Sequence, residues 1–270
     1  MTQPSAELSD IELAASVASQ AGALLMELRE SFGPVAPDDL VRRKQLKDEA
    51  DRESHLFISK VLHAARPSDA VLSEEGVDAT ERDSAQRVWI VDPLDGTSEY
   101  GQGRTDCAVH VALWDRAATT PEKLVAGVVD MAAEGYALTT ADTELPNIAV
   151  PTDRPIRIVV SRSRPPEMTA ERLDHISAAL SDAGVTTQGV EVYNVGSVGA
   201  KVAEVLARRA DAYVHDTGFY EWDVAAPLAV AQHYGLAADH IDGQPVTFNH
   251  RPTWVTDLRV CLPELMPFLR

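Results

Sequence analysis

Two aspartates in one short segment are the residues of this sequence best placed to do chemistry. Asp92 and Asp95 lie three positions apart in the segment 92–97, Asp-Pro-Leu-Asp-Gly-Thr, directly after the apolar run 89–91. Because proline cannot continue a hydrogen-bond ladder, we expect the chain to leave a buried strand here and the two carboxylates to converge in the turn. Converging carboxylates repel each other unless divalent cations lie between them, and Mg²⁺ binds oxygen ligands of this kind. The segment therefore predicts a magnesium site.

The same segment carries groups that can bind an anion. Gly96 lets the backbone approach a ligand closely, and the turn leaves the Leu94 carbonyl free to be a metal ligand. If a helical turn begins at Thr97, the amides of Gly96 and Thr97 point toward an anion. One segment would then contain both metal ligands and amides that donate hydrogen bonds to a phosphate. An ordinary β-turn built from Asp, Pro and Gly is the alternative interpretation.

Two further acidic segments lie upstream and downstream of this turn. Glu74 and Glu75 close a short predicted strand, and Asp223 stands at the start of a predicted helix. Each has an ordinary explanation alone, since glutamate pairs are usually solvated and an aspartate near a helix N-terminus is usually a cap. Taken in order with the segment 92–97, they form a three-part acidic pattern.

The elements predicted for the first half of the chain form an α+β lobe. A capping box over 9–12 introduces the first helix, and apolar spacing extends it to residue 29. A loop is predicted over 31–39, and a second helix over 51–65. Strands are predicted over 70–72, 87–91 and 107–114, followed by a hairpin within 125–139 that turns near 132–135.

In the second half, strands alternate with helices, which indicates an α/β lobe. The predicted strands are 156–160, 190–193 and 212–214, and the predicted helices are 166–183, 197–208 and 222–234. The segment 141–155 is rich in Pro, Thr and Asp and marks the predicted boundary. We therefore divide the chain into an N-terminal lobe over 1–150, with most metal ligands, and a C-terminal lobe over 151–270, with Asp223 and the substrate-binding residues.

Charge and cysteine content narrow the class of partner and the compartment. The 270 residues carry a formal net charge of −18, and the pI is about 4.7. Nucleic-acid polymers and anionic membranes need clustered Lys and Arg, so we expect neither as a partner. The two cysteines are far apart, the N-terminus lacks a signal-peptide pattern, and no apolar run approaches ~20 residues. A soluble, cytoplasmic protein is expected.

Several motifs resemble those of one phosphatase superfamily. The segment 89–97 resembles the first signature of the inositol monophosphatase-like phosphatases, and 222–227 resembles their second. The segment 71–75 resembles their upstream glutamate motif, in the Ser-Glu-Glu form typical of the 3′-phosphoadenosine 5′-phosphate phosphatases, the CysQ-type branch. Segment 159–163, with Ser-Arg-Ser after a strand, also resembles that branch. The similarity runs from about residue 10 to 260 and implies an α/β fold, a layered αβαβα sandwich of the sugar-phosphatase kind.

The resemblance implies a role for each matching residue. In the family pattern Asp92 bridges two metals. The implied metal ligands are Glu74, Asp92, the Leu94 carbonyl, Asp95 and Asp223. The residues implied to position and activate the attacking water are Asp51 and Thr97. The residues implied to bind substrate are Gly96, Thr97, Ser161, Arg162 and Lys201.

One segment departs from the family pattern. The family usually has Pro-Val-Thr shortly before the aspartate that we equate with Asp51, whereas this chain has Leu-Lys-Asp-Glu-Ala over 46–50. Asp48 or Glu49 could therefore be the true counterpart.

The reaction implied by the resemblance is hydrolysis of a phosphate monoester with two or three Mg²⁺ ions, for which Mn²⁺ can substitute. The favoured substrate is 3′-phosphoadenosine 5′-phosphate, giving AMP and phosphate in sulfur metabolism. Inositol monophosphate is the first alternative and fructose 1,6-bisphosphate the second. A catalytically silent metal- or nucleotide-binding regulator is an alternative of another class. Lithium inhibition and a monomer or homodimer are also implied.

Overall fold

The computed structural model describes residues 8–269. Its first half contains two long helices, a five-stranded run and one short helix. In chain order these elements are α1 (Asp10–Phe32), α2 (Leu40–Ala65), β1 (Ala70–Ser73), β2 (Arg87–Asp95), α3 (Thr97–Gly101), β3 (Ala108–Asp115), β4 (Leu124–Met131) and β5 (Tyr136–Thr139). A 3₁₀ turn over Thr80–Asp83 lies between β1 and β2.

In the second half, strands and helices alternate and a few short strands follow. In chain order these elements are β6 (Ile156–Ser161), α4 (Ala170–Asp182), β7 (Val190–Val195), α5 (Val198–Leu206), β8 (Ala212–His215), β9 (Phe219–Tyr220), α6 (Glu221–His233), β10 (Ala237–Asp239), β11 (Trp254–Val255) and β12 (Leu258–Cys261). A final 3₁₀ segment covers Pro263–Phe268.

The described chain forms five layers. Helices α1 and α2 cover one face of a sheet ordered β1-β2-β3-β4-β5, and α5 and α6 cover its other face. The second sheet, ordered β10-β12-β8-β6-β7, lies on the far side of α5 and α6, and α4 covers its outer face. Both faces of each sheet are thus buried against helices, as the long apolar runs of β2 and β6 require. The predicted α/β fold with αβαβα layering is confirmed.

The largest difference from the predicted elements is the start of α2. The helix begins at Leu40 rather than residue 51, 11 residues earlier (51 − 40), because the Asp39 side chain accepts a hydrogen bond from the Arg42 amide and caps it. Its first two turns are mostly exposed and charged, so they lack the apolar periodicity that reveals a packed helix. Strands β9 to β12 have only two to four residues each and were not predicted.

Helix α1 has the length and composition of a helix that could cross a membrane, with 23 residues and a peak mean hydropathy of 1.2. Core helices of soluble proteins pass the same test. Here the buried side of α1 packs on β3 and β4 through Leu13, Val17, Ala21 and Leu25. Part of the N-terminal region in which no signal peptide was predicted, residues 1–7, lies outside the described residues.

The predicted lobe boundary falls in the connection between β5 and β6. Helices α5 and α6 of the second half pack against the first sheet as well as against their own. Division into lobes 1–150 and 151–270 therefore stays a prediction. Cys107 and Cys261 are both buried free thiols.

Candidate active site

Three carboxylates from the predicted acidic pattern meet at one point. Ligand oxygens of Asp92, Asp95 and Asp223 all lie within 4.8 Å of one another. The first two stand at the end of β2 and the third in the first turn of α6, so the site lies between the first sheet and the middle helical layer. Glu74 follows β1, which runs parallel to β2, and its amide donates to the Val91 carbonyl at 3.3 Å. The ends of neighbouring parallel strands thus bring the upstream glutamate to the cluster.

The sequence predicted that the chain leaves the sheet at Pro93, and this prediction was wrong. Strand β2 continues to Asp95, and its register with β3 shifts between Asp92 and Asp95. A bulge of this kind re-aims side chains, which lets two aspartates three positions apart face the same point. The Leu94 amide donates to Asp92 Oδ1 at 3.0 Å, and Ser54 Oγ on α2 donates to the Pro93 carbonyl at 2.8 Å. These contacts fix the turn.

Crowding changes the protonation of the cluster. Burial, followed by the charges of Glu74, Asp95 and Asp223, raises the pKa of Asp92 well above its ordinary value. Burial and the neighbouring Asp95 raise the pKa of Asp223 to about 7. Glu74 is exposed as a residue, but packing around its carboxyl and the charges of Asp223 and Asp51 raise its pKa to about 8. Burial and the like charges of the neighbouring carboxylates thus favour the protonated form of these groups.

The residues present suit a divalent cation. Asp92 is 1% exposed, and its Oδ2 has no hydrogen-bond partner among the described residues. An unpartnered buried carboxylate oxygen is costly unless a cation binds it. The donors are all oxygens, which Mg²⁺ prefers. Asp223 also caps α6, because its Oδ2 accepts from the Tyr220 amide at 2.7 Å. Its capping role and its place in the cluster therefore coexist.

A hydroxyl–carboxylate pair adjoins the cluster. Thr97 Oγ1 lies 3.3 Å from Asp51 Oδ1 and 3.0 Å from the Leu94 carbonyl oxygen. Burial, and then the charge of Glu75, raises the pKa of Asp51 to about 7. Of the two alternatives to Asp51, Asp48 is exposed and pairs with Lys44, and Glu49 is exposed. The geometry favours Asp51 as the partner of Thr97.

A cavity of about 220 Å³ opens beside the carboxylates. Its lining from the first half includes Asp95 and the turn residues Gly96 and Thr97. Its lining from the second half includes Ser161, Ser163, Arg164, Ser197, Lys201 and Asp223. Gly96 has a φ of +84°, and a Cβ there would lie 3.0 Å from the Asp106 carbonyl oxygen, so glycine is required. Thr97 is the first residue of α3, and amides of a first helical turn have no partner within the helix.

A family comparison identifies this arrangement. The profile of the inositol monophosphatase family matches residues 8–266. The chain belongs to this family. The protein is accordingly a phosphatase, as the sequence motifs predicted.

Two curated relatives and one solved structure show how far the similarity extends. A 3′-phosphoadenosine 5′-phosphate phosphatase of Mycobacterium leprae is 38% identical over 98% of this chain and 93% of its own length. A protein of the same name from Mycobacterium bovis is 37% identical over 92% of this chain and 87% of its own. The crystal structure of inositol monophosphatase II from Staphylococcus aureus has a TM-score of 0.72 at 19% identity, covering 94% of this chain and 90% of that one. The similarity to the Staphylococcus aureus structure supports the fold, and the two curated relatives support the CysQ-type resemblance.

The predicted substrate-binding residues differ in whether they line the cavity or are held in ion pairs within the chain. Ser161 and Lys201 line the cavity, whereas the Arg162 guanidinium is held by Glu99 at 2.8 Å and Asp106 at 2.6 Å. Arg162 is therefore engaged by this chain's own carboxylates.

Lys201 is the buried cation of the cavity wall. It is 2% exposed, and its Nζ donates to the carbonyls of Gly196 and Ser197. Burial lowers the pKa of Lys201 to about 8, against the opposing effect of Asp95. Because this value still lies above 7, most of the ammonium stays charged at neutral pH, next to the carboxylate cluster.

Two side chains near the site carried no motif in the sequence. His110 on β3 is fully buried, with Nε2 3.4 Å from Asp95 Oδ2. Glu221, buried at the start of α6, accepts from the amides of Asn249 and His250 at 2.7 Å each. Sequence spacing could not reveal either contact, because the partners lie on different elements. The one available signal was a charged residue within an otherwise apolar strand or helix start.

Proposed function

We propose that this protein is a Mg²⁺-dependent phosphatase that removes the 3′-phosphate of 3′-phosphoadenosine 5′-phosphate, giving AMP and phosphate. The observation that carries the metal-dependent chemistry is the convergence of Asp92, Asp95 and Asp223 around a buried oxygen that lacks a partner in residues 8–269. The substrate is inferred from the relatives named above, which are 37 and 38% identical to nearly the whole chain.

The metal site would use oxygen ligands from three elements. The proposed ligands are Glu74, Asp92, the Leu94 carbonyl, Asp95 and Asp223. They would hold two or three Mg²⁺ ions, and Mn²⁺ can substitute because it also accepts carboxylate and carbonyl oxygens. When bound, Mg²⁺ lowers the pKa of a coordinated water and stabilises charge on the phosphate and on the leaving oxygen.

Thr97 and Asp51 would orient the attacking water. The Thr97 hydroxyl has one proton and two acceptors in reach, Asp51 Oδ1 and the Leu94 carbonyl oxygen. Its oxygen lone pairs are therefore free to accept a hydrogen bond from water. Asp51 Oδ1 can take the Thr97 proton while Thr97 Oγ1 takes one from the water. This relay would hold the nucleophile in place and remove its proton.

The cavity wall would bind the phosphate and the leaving group. Gly96 is the N-cap and Thr97 the first residue of α3, so their amides would donate to the phosphate, because a helix N-terminus favours anions. Ser161 and Lys201 line the same cavity, and Lys201 offers a buried positive charge. Arg162 would act mainly by fixing Glu99 and the wall, since both of its ion pairs are internal.

The decisive assay compares three substrates in parallel with saturating Mg²⁺: 3′-phosphoadenosine 5′-phosphate, inositol 1-phosphate and fructose 1,6-bisphosphate. We expect kcat/KM to favour the nucleotide by ~100-fold or more, which is roughly 2.7 kcal/mol of differential transition-state binding. An equal or reversed preference would transfer the function to inositol or sugar phosphates while leaving the metal site unchanged.

A catalytically silent regulator would bind Mg²⁺ or nucleotide without releasing phosphate. We expect phosphate release that disappears with EDTA and returns with Mg²⁺ or Mn²⁺, and that lithium inhibits. Calorimetric binding of Mg²⁺ without turnover on any of the three substrates would favour the regulator. We further propose a cytoplasmic protein of sulfur metabolism, monomeric or homodimeric, with no membrane or nucleic-acid polymer as partner. Sedimentation at micromolar concentration would decide the oligomeric state.

A further inference from the structure

His110 is a buried polar residue in contact with the carboxylate cluster. It is 0% exposed, and although the Trp222 backbone approaches the ring, neither ring nitrogen has a well-formed hydrogen bond within residues 8–269. Its Nε2 lies 3.4 Å from Asp95 Oδ2, and in the β2–β3 ladder His110 stands directly opposite Asp92. A buried polar group without a partner costs about 1–3 kcal/mol. A hydrophobic residue would avoid that cost, so the imidazole calls for a functional explanation.

The carboxylate oxygen that faces His110 is already surrounded by donors. Asp95 Oδ2 accepts from the Val198 amide at 2.6 Å and from the Gly199 amide at 3.2 Å. These are the first two residues of α5, whose N-terminus favours negative charge. With Oδ2 engaged by two amides and approached by the imidazole, the other oxygen of Asp95 is the one left for a cation.

The close approach of α5 to the imidazole depends on Gly199. A Cβ at this position would lie 2.4 Å from His110 Nε2 and 2.7 Å from a methyl carbon of Val129. Real Cβ atoms do not tolerate such distances, so any larger residue must displace the imidazole or the helix. Asp95, His110 and Gly199 thus form one packed unit that joins the first sheet to the middle helical layer.

We infer that His110 is a positioning residue, which donates from Nε2 to Asp95 Oδ2 and holds this carboxylate in the orientation that binds Mg²⁺. The inference rests on the proposed function in one respect, that the cluster binds Mg²⁺. Hydrogen-bond partners of metal ligands typically change metal affinity by 10–100-fold when they are removed. His110→Leu keeps most of the side-chain volume and removes both nitrogens, so it should weaken Mg²⁺ binding by roughly that factor.

The test is calorimetric titration of the metal-free full-length protein with Mg²⁺, repeated with Mn²⁺, which does not depend on turnover. His110→Gln places an amide nitrogen near the position of Nε2 and should recover most of the affinity that His110→Leu loses. Gly199→Ala should weaken binding as well, although alanine favours a helix, because its methyl group displaces the imidazole. Val111→Ala creates a cavity on the other face of the same strand and serves as the control for general destabilisation.

A merely structural role makes a different prediction. It lowers the melting temperature in both His110→Leu and Val111→Ala and leaves the dissociation constant for Mg²⁺ unchanged in each. That result would overturn the inference, and so would a His110→Gln variant that binds Mg²⁺ no more tightly than His110→Leu. If His110→Leu does not fold, Gly199→Ala and His110→Gln decide it by the same criterion. A wild-type protein that binds no Mg²⁺ would refute the metal site of the proposed function itself, and with it this inference.

Discussion

The carboxylate cluster and Asp106 differ in their partners, and their pKa values shift in opposite directions. Asp92 and Asp223 have no cationic side chain among their hydrogen-bond partners in the described chain, and burial and like charges raise their pKa values. Asp106, between α3 and β3, is paired with Arg104 and Arg162. These partners and the Gly196 amide outweigh its burial and hold its pKa at about 2.

The contrast shows how one residue type serves two purposes. Arginine partners convert Asp106 into a structural tie between the turn and the second half of the chain. In the carboxylate cluster, by contrast, Asp92 and Asp223 have no ion pair with an arginine among the described residues, although Lys201 and Arg164 line the adjoining cavity. The same residue type thus forms internal ion pairs in one place and leaves carboxylate oxygens available in the other.

The largest effect is expected when the cluster loses its central carboxylate. Asp92→Asn should lower kcat at least ~100-fold, since even indirect partners of metal ligands change affinity by 10–100-fold. The metal-free variant should unfold at the same or higher temperature, because crowding is relieved. Phosphate release and calorimetry on the purified protein check both. Asp48→Asn, which removes an exposed carboxylate, is the matched control, and substantial activity in Asp92→Asn would contradict the bridging role.

The second largest effect is expected from metal removal, which should affect variants of the carboxylate cluster and of Arg162 differently. At 100 times its dissociation constant, Mg²⁺ should stabilise the wild type by about 2.7 kcal/mol. For a chain of this size that corresponds to a rise in Tm of roughly 5 to 10 °C. The rise should disappear in Asp92→Asn and persist in Arg162→Gln. A Tm that does not respond to Mg²⁺ or Mn²⁺ would show that the cluster is not a metal site.

Asp130 provides a third case for comparison, because it neither pairs with an arginine nor belongs to the carboxylate cluster. Asp130 at the end of β4 packs against Gly22, and burial alone raises its pKa to about 6. Its folded pKa exceeds the unfolded value, so its effect on stability is most favourable below pH 4 and is lost as pH rises to about 6. Asp130→Asn should therefore stabilise the protein by about 2 kcal/mol at pH 7 and by little near pH 4.

Urea unfolding of the Asp130 variant across this pH range gives the measurement. A stability difference that is constant with pH would mean that the carboxyl is not the titrating group. Phosphatase activity should be unaffected, because Asp130 lines a different part of the surface from the carboxylate cluster.

The smallest effect is expected from loosening the arginine tie. Arg162→Gln should cost about 1 kcal/mol of unfolding free energy at pH 7, since its ion pairs are partly screened by solvent. Because the pKa of Asp106 is lower in the folded protein than in the unfolded chain, its ionised form stabilises the protein at pH values above the unfolded pKa. That stabilisation is lost as the pH falls toward 2. The difference between variant and wild type should thus shrink toward pH 2. Arg104→Gln, at the more exposed partner, should show a smaller loss, and equal losses would contradict the tie through Arg162.

Contiguous patterns in the sequence were sufficient for most of the fold. Capping and apolar spacing predicted α1, and the β-branched run predicted β2. The first half of α2 was missed because its exposed, charged face leaves no periodic signal. Strands β9 to β12 were missed because their existence depends on strands that pair beside them in the fold, such as β8 beside β12 and β9 beside β11.

The residue types of the site could be read from the sequence. The acidic turn, the glutamate pair and the aspartate at the start of α6 supply its carboxylates, and neighbouring residues set their local conformation. The contacts that these residues make could not be read from the sequence. Asp95 meets the Val198 amide from 103 positions away, Arg162 is neutralised by Glu99, and His110 lies against Asp95. The physical reason is that local conformation is encoded by adjacent residues, whereas such contacts depend on how two sheets pack around the same pair of helices.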